Sequence, residues 1–159
     1  MQTYFRLYED LNRARRLDRP FNAANAVFTD PTSANPLIEG EWFEIDNSVT
    51  TEQYKRGTGA LPSVPLFLEK GRPEMQILHK GTFLFGYDWI ADTKVMVTTS
   101  LDEGLMLKVG NVTIDSLARS GLVYHDGTGT DWVVGYVMRL PANNGGWLRF
   151  QRVSPFRLS

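Results

Sequence analysis

Glu39 and Glu41 stand two residues apart, with Trp42 beside them. On an extended strand such a pair shares one face, about 6.5–7 Å apart. That is near the spacing of an inverting glycosidase, with the indole as a sugar platform. Acids at i and i+2 are also what an ordinary solvated strand face carries, and nothing in the sequence singles this pair out as general acid and base. His79 and His125 are the two imidazoles, and neither lies in a motif that supplies a nucleophile and an orienting acid. Both read as packing residues. Gly57-Thr58-Gly59 lacks the Lys-Ser/Thr of a phosphate-cradling loop and reads as a mobile loop. Gly127-Thr128-Gly129-Thr130 lies between Asp126 and Asp131 without EF-hand spacing or a terminal Glu, and reads as a polar hairpin turn. GxSxG and HExxH are missing. The absence of cysteine excludes disulfides, thiolate-bound zinc, iron–sulfur clusters and thiol catalysis. The residues therefore assign no catalytic, cofactor-binding or metal-binding position, and no enzyme is expected.

The chain has 159 residues, 42% of them hydrophobic, which is material for one core with an appendage. Its net charge of −1 argues against a globally basic nucleic-acid binder. No apolar run approaches ~18 residues, so no membrane span is expected, and the N-terminus carries no signal-peptide core.

These residues must be held by elements that differ along the chain. Residues 1–20 carry five arginines (Arg6, Arg13, Arg15, Arg16, Arg19) against Glu9, Asp10 and Asp18, a net +2, leaving the remainder at −3. Residues 9–17 could make two or three helical turns. Pro20, Pro31 and Pro36 then make a regular helix over 20–37 improbable. Residues 1–37 read as an extended arm whose aromatics need a surface to dock on. From residue 38 onward, short β-branched and aromatic runs alternate with Gly, Pro, Asn and Asp. Strands are expected at Glu41–Asp46, Val64–Leu68, Met75–His79, Thr82–Tyr87, Thr93–Ser100, Leu105–Val109, Val112–Ile114, Leu122–His125, Trp132–Leu140 and Trp147–Val153. A hairpin turn is expected at Gly110-Asn111 and a helical turn is conceivable at Ser116–Arg119. This pattern predicts an all-β fold, a small antiparallel β-barrel or β-sandwich over 38–159, with the extended N-terminal arm over 1–37.

Four stretches carry a family likeness. They are Gly40-Glu41-Trp42-Phe43-Glu44-Ile45-Asp46 after a Pro/Asn-rich arm, Leu105-Met106-Leu107-Lys108-Val109-Gly110-Asn111, Val133-Val134-Gly135-Tyr136-Val137-Met138-Arg139-Leu140-Pro141, and Gly146-Trp147-Leu148-Arg149-Phe150. Together they resemble the capsid decoration (cement, or head-stabilisation) proteins of tailed bacteriophages, over roughly residues 20–153. The resemblance implies a virion structural protein, made in the host cytoplasm, that binds the outer capsid surface and bridges neighbouring capsid subunits. It implies the major capsid protein as partner, self-association as homotrimers or alternatively homodimers, and no cofactor. In that picture Tyr4, Phe5, Tyr8, Phe21 and Phe28 are the arm's apolar anchors, and Arg13, Arg15, Arg16 and Arg19 select acidic patches. Sequence also leaves open a β-sandwich module that recognises host-surface carbohydrate through Trp42, Trp89, Trp132 and Trp147, or another phage head or tail component.

Overall fold

Adjacent apolar residues on a strand face opposite ways, so a run such as Phe83-Leu84 demands a hydrophobic neighbour on both sides of its sheet. The fold supplies them. In the computed structural model of the chain, the described residues are 3–10, 14–21, 37–47, 50, 52–62, 65–70, 80–143 and 145–158. They form β1 (Phe5–Asp10), β2 (Arg15–Pro20), β3 (Phe43–Ile45), β4 (Tyr54–Arg56), β5 (Leu66–Lys70), β6 (Lys80–Phe85), β7 (Trp89–Thr93), β8 (Met106–Ile114), β9 (Leu117–Tyr124), β10 (Val133–Arg139) and β11 (Leu148–Phe156). A six-stranded sheet runs β1-β7-β11-β10-β8-β9, a three-stranded sheet runs β2-β6-β5, and β3 pairs with β4. Every ladder is antiparallel. The protein is all-β and sandwich-like, and its sheets are not closed into a barrel.

Two cores follow from the alternation. Leu66 and Leu84 of the three-stranded sheet pack with Trp89, Ala91, Leu107, Val109, Val137, Leu148 and Phe150 of the six-stranded one. Phe67 and Phe83, the immediate neighbours of Leu66 and Leu84 on the same strands, face the other way and join Phe21, Leu37, Phe43 and Tyr54. Edge-to-face rings organise both cores. Phe150 lies 5.8 Å from Trp89, and Phe43 lies 5.1 Å from Phe83. Such pairs add about 0.5–1.5 kcal/mol each to simple area burial.

The N-terminal segment differs from expectation. Its described residues belong to the body: β1 is an edge of the six-stranded sheet, in register Arg6↔Asp92 and Leu7↔Ala91. β2 pairs along its length with β6, from Arg15↔Phe85 to Pro20↔Lys80. Phe21 then bridges Tyr54. The physical reason is period-2 alternation: Phe5 turns inward against the Trp89 ring at 6.2 Å, while Arg6 and Tyr8 turn outward. Of the expected helix over 9–17, residues 9–10 and 15–17 are strand, β1 and β2 belong to different sheets, and residues 11–13 of the passage between them lie outside the described residues. Ala14 N–H donates to Asp10 Oδ1 at the end of this passage (3.1 Å). Residues 22–36 of the expected arm, and the expected strand Met75–His79, lie outside the described residues.

Two further expectations shift. β8 runs unbroken through Gly110-Asn111, and the hairpin turns at Asp115-Ser116, both at positive φ (52° and 65°). Positive φ at both central residues is the type I′ geometry that follows strand twist. No helical turn forms over Ser116–Arg119. Thr93–Ser100 is not a strand either. The β7 ladder ends at Thr93, and the chain crosses to the far edge of β9, where Leu122 N–H donates to Val95 O (3.0 Å) and Val97 N–H to Leu122 O (2.9 Å).

Candidate interaction surface

The acidic pair that could have done chemistry is built into the framework instead. Glu41 is fully buried. Its Oε1 accepts from Arg56 Nε (2.9 Å) and Ser120 N–H (3.2 Å), and its Oε2 accepts from Ile38 N–H (3.0 Å). Arg119 Nη1 lies 3.5 Å from Oε2. Burial draws the Arg119 guanidinium below its ordinary pKa, and the Glu41 charge opposes that. Glu39 accepts instead from the N–H of Tyr4 (2.7 Å) and of Phe5 (3.5 Å), pinning the start of β1. The two carboxylates thus serve different parts of the framework.

The other sequence candidates also resolve into structure. His125 is buried. Its Nδ1 accepts from Gly127 N–H (3.0 Å), which leaves the ring proton on Nε2 to donate to Asp131 O (3.1 Å). The segment from Asp126 to Asp131 is a polar turn, with Asp126 Oδ1 accepting from Thr128 N–H and Oγ1, but not the hairpin expected, because β8 lies between β9 and β10 in the sheet. Gly57-Thr58-Gly59 is pinned: Gly57 N–H donates to Trp42 O (2.8 Å), Thr58 N–H to buried Glu44 (3.0 Å), and Trp132 N–H to Gly59 O (3.1 Å). Trp42 and Trp89 are sealed in the core. Trp132 and Trp147 are half-buried, and cations cover them, Arg157 at 4.8 Å from the Trp132 ring centre and Arg6 at 4.4 Å from that of Trp147. A sugar platform needs an open indole face, and these rings are already occupied. Arg152 crosses the core between Trp42 and Tyr87, and donates to the carbonyls of Val134 and Val153. Burial pulls its pKa to about 10, which still leaves it charged at neutral pH.

Of the residues expected to anchor an arm, Phe5 and Phe21 are buried in the protein's own cores and cannot reach a partner. Tyr4 is tied down through its N–H to Glu39, and its hydroxyl donates to Asp115 Oδ2 (3.3 Å). Arg15 and Arg16 are exposed on β2, while Arg19 lies beside Glu52 (3.9 Å) and over the Phe85 ring. Arg13 and Phe28 lie outside the described residues. Among the described residues of the expected aromatic set, Tyr8 alone is open to solvent, at 58% exposure.

Tyr8 belongs to a surface that sequence reasoning did not assemble. On the outer face of the six-stranded sheet, Asp92 of β7 lies between β1 and β11. Arg6 Nε donates to its Oδ2 (2.8 Å), and Arg149 Nε donates to its Oδ1 (2.8 Å). Burial alone would raise the Asp92 carboxyl, but the hydrogen bonds from Arg149 and Arg6 outweigh it and hold it below the usual value. The Arg149 guanidinium stacks over Tyr8 at 3.5 Å, and Lys94 lies 4.8 Å from the Trp147 ring centre. A continuous chain of contacts therefore runs Lys94–Trp147–Arg6–Asp92–Arg149–Tyr8. Arg139 and Met138 stand exposed on neighbouring β10. The missed signal lay in Trp147-Leu148-Arg149-Phe150: with Leu148 and Phe150 inward, alternation turns Trp147 and Arg149 out.

Compared with known proteins, the chain matches no family model, no curated protein and no solved structure.

Proposed function

We propose that this chain is a structural component of a tailed-phage virion. It binds the outer surface of the assembled capsid and stabilises the shell by bridging neighbouring subunits of the major capsid protein. It acts by adhesion and not by catalysis, and it self-associates, as a homotrimer or alternatively a homodimer. The observation that carries the reading is the outer face of the six-stranded sheet, where Tyr8, Trp147, Arg6, Arg149 and Arg139 gather on a rigid ladder. Tyr, Trp and Arg are residue types enriched at protein–protein interfaces. The strand rhythm over residues 20–153 supports the phage assignment. A ligand that binds only the assembled shell makes that shell harder to disrupt.

The structure changes how such adhesion works. β1 and β2 are integral strands, so the described part of the N-terminal segment contributes through a preformed face rather than as a loose tether. The test is co-sedimentation of the purified chain with capsids lacking it, followed by thermal disruption of the loaded and bare shells. Saturable binding with a raised disruption temperature is expected. Failure to sediment with shells, or loading that leaves their thermal stability unchanged, refutes the proposal.

A further inference from the structure

A cationic groove lies where the β10–β11 connection meets β1. We propose that it is the seat of an acidic peptide segment of a partner protein, held by Arg139 and Lys94 beside the Trp147 ring. The groove has a volume of about 350 Å³, and Arg6, Arg139, Arg149 and Trp147 line it around Asp92. Its three arginines, with Lys94 at its rim over the Trp147 ring, meet one carboxylate and leave the cluster at +3 in a chain whose net charge is −1. Asp92 already satisfies Arg6 and Arg149. Among the described residues no carboxylate lies within salt-bridge distance of Lys94 or Arg139. Gathered like charge attracts a ligand of opposite sign and raises its local concentration.

The arrangement favours a chain of carboxylates over a single small anion. Asp92 between two guanidiniums is itself an example of the recognition on offer, because a planar carboxylate matches the arginine fork. The two cations left over stand on different segments, Arg139 at the end of β10 and Lys94 just after β7, so separate side chains can meet them. Leu140 and Ala142 also line it, and such apolar surface suits the methylene stems of glutamates. In the function proposed above the segment belongs to the shell subunit, and to that extent the inference rests on that reading.

Isothermal titration of the full chain with an octaglutamate peptide tests it, with octaglutamine and inorganic phosphate as comparison ligands. NMR of the Trp147 indole N–H locates the binding. Octaglutamate is expected to bind and to move the Trp147 signal. Its affinity is expected to drop about tenfold or more in Arg139→Glu and in Lys94→Glu, less in Arg139→Gln, and to stay unchanged in the β2 variant Arg15→Glu/Arg16→Glu. The absence of octaglutamate binding, an equal loss in the β2 variant, or phosphate binding as tightly through the same residues would overturn the inference. Shell co-sedimentation separates the two claims. Shells that bind Arg139→Glu as well as the unaltered chain sink this groove and leave the function standing. Octaglutamate bound in the groove by a chain that ignores shells does the reverse.

Discussion

Replacing Glu41 by glutamine separates a structural acid from a catalytic one. The side chain is buried, carries two arginines and two backbone N–H groups, and ties β4, β9 and the turn at Ile38 into one knot. Glutamine keeps the shape but removes the charge, and its amide nitrogen turns a donor toward guanidiniums that are donors themselves. Arg119, with its side chain 4% exposed, is then left without its opposing charge in a site that already disfavours a cation. Breaking a buried pair from one side costs about 3–5 kcal/mol. The lower end applies here, since the Arg56 side chain keeps 16% of its surface in water. For a chain of this size, 3 kcal/mol lowers the melting temperature by about 6–12 °C. Glu39→Gln is the control, because its amide oxygen can still accept from Tyr4 and Phe5 N–H, and a loss of about 1 kcal/mol or less is expected. Thermal unfolding followed by circular dichroism reads both. A Glu41→Gln variant that melts within about 2 °C of the parent, or a Glu39→Gln variant that melts as low, would refute the reasoning.

Asp92 makes stability depend on acid. Its carboxyl titrates below its value of 3.8 in an unfolded chain, so its stabilisation is complete above that value and fades as pH falls through the folded one. Asp92→Asn is therefore expected to be clearly less stable than the parent at neutral pH, with a gap that narrows as pH falls below 3.8, as read by urea midpoints. A gap that stays constant with pH contradicts this. At the β8–β9 turn, Ser116 holds a φ of 65°, a conformation that glycine adopts without strain. Ser116→Gly creates Asp-Gly, a preferred type I′ pair, and is expected to gain about 0.5–1 kcal/mol, whereas a lowered urea midpoint counts against the turn assignment.

Fold class was legible because the strongest strands advertise themselves. Leu107 and Val109 alternate with Met106 and Lys108, and Trp132–Leu140 contains β10 almost as it stands. What sequence obscured were choices that only a partner strand can make. Gly110-Asn111 and Asp115-Ser116 are both competent turns, five residues apart. The ladder from Leu107↔Tyr124 to Ile114↔Leu117 selects the second. Gly110 then sits opposite Gly121, where an added Cβ would meet Val112 and lie 2.5 Å from Val95 O. Thr93–Ser100 has strand composition, yet β propensity reports a fit to extended surroundings and not membership of a ladder. Its residues after Thr93 run along the outside of β9 with a single bridge at Met96.

The N-terminal segment was the hardest to read because its charges have two uses that look alike in a sequence. Arginine density suggests adhesion, but Arg6 is spent on Asp92 within the fold, as is Arg149 from the other end of the chain. Both ends of the polypeptide therefore meet on one carboxylate at β7. Tyr8 and Trp147, which alone would be sticky aromatics, are held in place by the same two guanidiniums. Side chains fixed in this way have already lost their rotamer freedom before any partner arrives. A flexible tether meets that ordering cost when it binds. A face locked by Asp92 meets it when the protein folds, so weakening the Asp92 knot is expected to loosen Tyr8 and Trp147 together with β1 and the start of β11.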